Sequence, residues 1–268
     1  MKSAQLVLLF ALTLILPNAD AASKRGGGGG QKPHSLKSDL TVGGSISAPS
    51  TGLGVFTNPA ALAQISGVDL ALHGGAPKLW TDATYRGGLQ AGLGFVGAAV
   101  FADREMKSGG DQSTLYGGVG LEIPFVNLEI GAAMRRGFSG PSQEQDWIGG
   151  MVFSPTGFIQ IGVTALSHHE AFSEVGAGAA LVLVDGMQLV IDSAADEKGK
   201  NLKFKPGIKL YNPFGGFSMS FGTGDRDQFS KGFTAGSFVR LGMNSQVEVA
   251  YNHGGLLPKY YAALSMGF

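Results

Sequence analysis

The last nine residues, Tyr260-Tyr261-Ala262-Ala263-Leu264-Ser265-Met266-Gly267-Phe268, alternate between two kinds of side chain. Successive side chains of an extended chain point to opposite sides. Tyr260, Ala262, Leu264, Met266 and Phe268 therefore share one face, apolar and ending on an aromatic ring. Tyr261, Ala263, Ser265 and Gly267 share the other, which is small and slightly polar. Such a strand fits a wall with hydrocarbon outside and an enclosed space inside, and it also fits the edge of a soluble sandwich. The rest of the chain decides between the two.

Composition favours the membrane wall. Of 268 residues, 44 are Gly, 11 are Pro and none is Cys, and 20 basic residues balance 20 acidic ones. Charged residues make up only 15%, against the ~25% usual in soluble domains. Hydrophobic content is 44%, yet beyond the first twenty residues no apolar run approaches the ~20 needed for a membrane helix. Alternation hides hydrophobicity in this way. Neutral balance removes the basic face that nucleic-acid binding requires, and the absence of Cys rules out disulfides and lipid attachment at a mature N-terminal Cys.

The N-terminus reads as an export signal. Lys2 supplies the positive start, Leu6 to Leu16 a short apolar core, Pro17 a break, and Ala19-Asp20-Ala21 a small-x-small site with cleavage after Ala21 or Ala22. The expected organisation is a signal peptide over 1–22, a Gly-rich leader and inner segment over 23–65, and a transmembrane barrel over 66–268. The run Gly26 to Gly30 is too costly in backbone entropy to order itself, and it lacks the strand and Gly-Lys-Ser/Thr of a phosphate loop. In Asn58-Pro59-Ala60-Ala61-Leu62-Ala63, Asn caps a helical turn and Pro occupies its first position.

Fourteen strands are expected: Val68–Gly75, Thr81–Ala91, Phe95–Asp103, Thr114–Ile123, Leu128–Phe138, Trp147–Phe153, Phe158–Leu166, Glu174–Leu183, Met187–Ala195, Leu202–Leu210, Gly216–Thr223, Gly232–Leu241, Ser245–Asn252 and Tyr260–Phe268. The second and third have soft edges, and twelve strands is the rival count. Tight turns (124–127, 154–157, 184–186, 211–215, 242–244) alternate with longer polar connections (106–113, 139–146, 167–172, 196–201, 224–231, 253–259). Short turns on one rim and long loops on the other are the habit of an antiparallel up-and-down transmembrane barrel.

Charge on the lipid face costs about 2–4 kcal/mol at midplane, so polar faces turn inward. Glu122, Glu129, Arg135, Asp192, Lys203, Lys205, Lys209, Arg240 and Glu248 are expected to line the lumen and to pair there. Gly118, Gly120, Gly131, Gly176, Gly178, Ala180, Gly207 and Gly236 leave interior room for the leader. Pro206 removes a ladder hydrogen bond and marks a bulge or wall gap, and Gly87, Gly88, Gly92, Gly94 and Gly97 mark a second pliable stretch. Trp80, Trp147, Tyr85, Tyr211, Tyr251, Tyr260 and Phe153 fall near strand ends, as interfacial aromatic belts do.

No catalytic chemistry stands out. His168-His169-Glu170 lacks a third metal ligand, no Gly-x-Ser-x-Gly elbow occurs, and neither an enzyme, a metal nor a cofactor is expected.

The segment Asn58-Pro59-Ala60-Ala61-Leu62-Ala63, after a Gly-rich stretch and before the first strand, resembles the N-terminal hatch of FadL-like outer-membrane proteins. That resemblance implies a fourteen-stranded barrel with Asn58, Pro59, Ala60 and Leu62 in an internal hatch, passing small hydrophobic or lipid-like molecules. The last strand is similar to the C-terminal signature of bacterial outer-membrane β-barrels, which implies Tyr260, Leu264, Met266 and Phe268 as an assembly signal read by the barrel-assembly machinery. The expected location is the bacterial outer membrane, with its lipids as partners. The outer loops are shorter than the family's substrate-gathering ones. An alternative is therefore a non-transporting structural barrel. It would self-associate into a homo-oligomer through small outward residues (Ala132, Ala177, Ala179, Ala235, Ser237 and Ala262) and organise outer-membrane lipid.

Overall fold

A computed structural model describes residues 45–49, 57–76, 84–106, 112–138, 145–168, 171–224, 231–241, 245–253 and 260–268. The expected signal peptide, the glycine run, Trp80, His169 and Glu170 lie outside them.

Fourteen antiparallel strands form one closed barrel. They are β1 (Ser66–Ala76), β2 (Thr84–Leu93), β3 (Val96–Glu105), β4 (Gln112–Ile123), β5 (Leu128–Gly137), β6 (Gln145–Phe153), β7 (Ile159–His168), β8 (Ala171–Val184), β9 (Met187–Asp196), β10 (Lys203–Asn212), β11 (Gly215–Gly222), β12 (Gly232–Arg240), β13 (Ser245–His253) and β14 (Tyr260–Gly267). Each pairs with its neighbours in sequence, and β14 closes on β1 from Asp69 opposite Gly267 to Ala76 opposite Tyr260. The Phe268 N–H donates to the Val68 carbonyl at 2.8 Å, extending that seam to the chain end. Closure leaves no unpaired sheet edge, which hydrocarbon would not tolerate.

Period-two burial runs through the strands. In β9, Gln188, Val190, Asp192 and Ala194 are buried while Leu189 and Ile191 are exposed. In β13, Gln246 and Glu248 are buried while Val247 and Val249 are exposed. This is an inside-out protein: polar groups are enclosed and Leu, Val and Ile form the outer surface.

The short-turn rim carries the most exposed aromatic rings, Phe125 (94%), Phe268 (81%), Phe214 (80%) and Phe158 (67%). Turn chemistry permits the tight reversals: Asn127 (φ 50°) ends the 3-10 turn Pro124–Val126, and Gly186 (φ 86°) occupies the left-handed position between β8 and β9. On the loop rim, Tyr85, Phe138, Trp147, Phe172 and Tyr260 face outward. Tyr211 departs from the expected belt. It pairs with Gly216 on the inward register, because β10 keeps unbroken alternation from Lys203.

Three other expectations are corrected. The long connection over 167–172 shrinks, because Ser167 pairs with Phe172 and His168 with Ala171, with a bulge at Leu166/Ser167 taking up the odd residue. Pro206 causes no bulge toward β9, where it pairs with Ile191 in continuous register. Toward β11 the ladder runs to Gly207 opposite Ser220, and the two strands rejoin where the Thr223 N–H donates to the Phe204 carbonyl at 3.1 Å. The missing N–H is thus absorbed locally. The glycines of β2 and β3 open no gap either: pairing is continuous from Thr84–Glu105 to Gly92–Gly97. Gly88 instead makes room for the Phe101 ring, and Gly92 and Gly97 for the backbone of Ile65 and Leu62 inside.

Candidate functional site

The barrel interior gathers what is chemically distinctive. Two parts of the N-terminal segment, Ser45–Ala48 and Asn58–Gln64, pack against the inward faces and are almost fully buried.

The second part is a 3-10 helix, Pro59–Gln64. Asn58 caps it, its Oδ1 accepting from the Ala60 N–H at 3.2 Å, and Pro59 needs no donor at its position. The helix lies on β2 to β6. The wall there is stripped of side chains: a Cβ on Gly131 would overlap the Pro59 carbonyl, one on Gly120 the Ala63 nitrogen, and one on Gly97 the Leu62 carbonyl. Leu62 and Ile65 cluster with Ala71, Ala99, Phe101 and Ala133, with Tyr116 packed alongside. At the far end of the helix, Gln64 Nε2 donates to both Glu129 oxygens at 2.8 and 2.7 Å.

The first part lies on β7 to β10 and is held by charge. Asp192 Oδ2 accepts from the Ile46 N–H at 3.0 Å, and its Oδ1 accepts from the Ser47 N–H (3.3 Å), Ser47 Oγ (3.0 Å) and Ser45 Oγ (3.3 Å). Lys209 Nζ donates to the Ala48 carbonyl at 2.9 Å. Gly162, Gly176 and Gly178 provide the space; a Cβ on Gly162 would overlap the Ile46 carbonyl. Asn58 joins the two parts, its Nδ2 donating to the Ile46 carbonyl (2.7 Å) and to the Met151 carbonyl of β6 (3.2 Å).

The expected lumen residues sort as follows. Glu122, Asp192, Lys203, Lys209 and Glu248 are buried inside. Lys203 pairs with Glu174 at 2.8 Å and Arg135 with Asp146. Lys205 lines a small cavity with Asp192 and Ser220. Arg240 stands at the short-turn rim and donates to the Pro213 carbonyl at 3.3 Å. Sequence reasoning missed the partners Glu174 and Asp146, and the inward pair Arg86–Asp103 (2.5 and 2.6 Å), whose guanidinium stacks on Tyr116 at 5.3 Å. Arg86, Asp103 and Glu174 fall inside the expected strands and Asp146 one residue outside, all on inward positions, so the alternation rule carried through to the strand ends finds them. In β14, Tyr260, Leu264, Met266 and Phe268 follow the outward register.

The cavity beside Ser45, Asp192, Lys205, Ser218 and Ser220 is about 20 Å³, room for about one water. Ser220 Oγ is buried there without a hydrogen-bond partner, as a water site would explain. Among the described residues no group of three or more His, Cys, Asp or Glu is placed to hold a metal.

Neither a protein-family model nor a curated protein matches the chain. Solved structures do. The Ralstonia pickettii toluene transporter TbuX superposes with a TM-score of 0.58 at 11% identity, over 80% of this chain and 93% of that one. The Acinetobacter baumannii outer membrane protein Omp33 superposes with a TM-score of 0.54 at 8% identity, over 77% of this chain and 100% of that one. The fold is that of outer-membrane β-barrels. At such identities the likeness is one of fold alone.

Proposed function

We propose that this is a FadL-like barrel of the bacterial outer membrane, plugged at rest by its own N-terminal segment, that passes small hydrophobic molecules when that segment shifts. One observation carries the reading: residues 45–48 and 58–64 occupy the lumen through hydrogen bonds and shape alone, so the seat is reversible. The apolar wall patch of Ala71, Ala99, Phe101 and Ala133, which Leu62 and Ile65 now cover, gives a hydrophobic solute somewhere to lie once the helix moves. Export by the N-terminal signal and insertion through the final strand by the barrel-assembly machinery complete the route to the membrane. Catalysis has no part in this reading.

The test is uptake of radiolabelled toluene, the compound TbuX is named for, into proteoliposomes. Saturable uptake by the full chain is the expected result. Flux that appears only after residues 45–64 are deleted, and does not saturate, overturns it.

That second outcome favours a structural barrel, for which the tight packing at Gly131, Gly162 and Gly178 speaks. Such a barrel would self-associate through Ala132, Ala179, Ser237 and Ala262 and organise lipid around it. Dimers or larger species in native mass spectrometry are its expected signature.

A further inference from the structure

Among the described strand residues, every Asp, Glu and Lys sits on the inward register. Of the arginines, two do not: Arg104 and Arg136. Both are exposed. Each is the last residue but one of its strand, β3 and β5, at the loop rim. Only β4 separates them, so their strands run about 10 Å apart.

Beside them the outer wall is hollowed. A groove of about 580 Å³ runs along this rim, lined mainly by Leu72, Tyr85, Ala102, Leu115 and Phe138, with Arg104 and the mutually paired Arg86 and Asp103 also in its lining. Gly87 and Ala102 supply the depth, having little or no side chain where neighbouring outward positions carry Leu89 and Val100. The Arg136 guanidinium lies 5.9 Å from the centroid of the Phe138 ring, which places a second cation over the same wall.

We infer that this groove binds one phosphate-bearing anionic lipid of the surrounding leaflet, an acyl chain along Leu72, Ala102 and Leu115 and the phosphate against Arg104 and Arg136. The occupant follows from charge and depth. An arginine on a lipid-facing wall is costly at midplane and nearly free at the interface, the depth at which headgroup phosphates lie. Guanidinium forks match phosphate bidentately. The apolar lining suits a chain and not a hydrated polymer. This site lies on the outer wall and requires the membrane barrel alone, whether or not the lumen conducts.

Native mass spectrometry of the full chain in mild detergent tests it, with dioleoyl phosphatidic acid and dioleoylglycerol as probes that differ only in the phosphate. The expected result is one retained phosphatidic acid, bound at least about tenfold more tightly than dioleoylglycerol. That preference should be lost in the double variant Arg104→Ala, Arg136→Ala. Ala102→Trp keeps both arginines but fills the groove, and should weaken phosphatidic acid by a similar factor; it decides the matter should the double variant fail to fold. Heat-dependent gel mobility reports folding in each case. Equal binding of the two lipids overturns the proposal, as does undiminished phosphatidic acid binding by the Ala102→Trp barrel. Displacement of the lipid by millimolar inorganic phosphate also overturns it, since a bare anion site needs no acyl chain.

Discussion

The two places where the N-terminal segment touches the wall both lie over glycines but differ in what else holds them. The helix Pro59–Gln64 rests on glycines of β3 to β5 and a small apolar cluster, so its seat is defined by shape. Ser45–Ala48 rests on Asp192 and Lys209, so its seat is defined by charge accepting and donating at named backbone atoms. A shape seat fails when atoms are added. A charge seat fails when one acceptor is removed, because the buried N–H groups then have nowhere to go. Asn58 is the side chain that touches both.

Asp192→Ala should have the largest effect. It orphans two backbone N–H groups and two hydroxyls at once, a loss above about 3 kcal/mol. In hydrogen exchange the Ile46 and Ser47 amides should speed up by more than about a hundredfold, at an about tenfold rate change per 1.4 kcal/mol, while Ala61 changes far less. Equal acceleration at Ala61 would merge the two seats into one cooperative unit and break the contrast.

Gly131→Val comes next. The added Cβ meets the Pro59 carbonyl carbon and the Ala60 nitrogen, and overpacking of this kind costs about 1–3 kcal/mol. Here the Ala61 amide should lose protection and Ile46 should keep most of its own. Urea unfolding of the barrel itself should shift little, since the strand register is unaffected.

Asn58→Ala should cost about 1–2 kcal/mol from the cap alone, and it alone should loosen both seats. Combined with Asp192→Ala its effect should be sub-additive, because the two share Ile46. Strict additivity in that double-mutant cycle would separate the seats energetically. Smallest of the four is Gln64→Leu. It removes two hydrogen bonds to a half-buried carboxylate, worth about 1 kcal/mol, and only the Leu62–Ile65 amides should respond.

Much of the barrel was legible without coordinates. Strand identity in β9, β10 and β13 followed from the two-residue period, because side-chain direction in an extended chain is a local property. The small inward residues Gly118, Gly131, Gly176 and Gly178 were also legible, as was the Asn58 cap, whose partner is two residues away. What misled was local evidence for non-local events. Pro206 looked like a bulge, yet its register with β9 is continuous and its own strand rejoins β11 at Phe204. The Gly-rich β2 and β3 looked like a pliable wall, yet those glycines accommodate Phe101 and the inner helix. The connection over 167–172 looked long because polar residues can still pair at a rim.

The sequence by itself determined which side of the wall most residues face, how often the chain turns, and hence that apolar side chains lie outside and charge inside. Only the tertiary structure decided which charges meet which atoms. Asp192 reaches Ile46 across 146 positions of chain, Arg135 finds Asp146 on the next strand, and Arg104 and Arg136 stand near one groove because only β4 separates their strands. Alternation is fixed by the geometry of one residue and its neighbour. Contacts across the lumen or around the wall exist only once the fourteenth strand has closed upon the first.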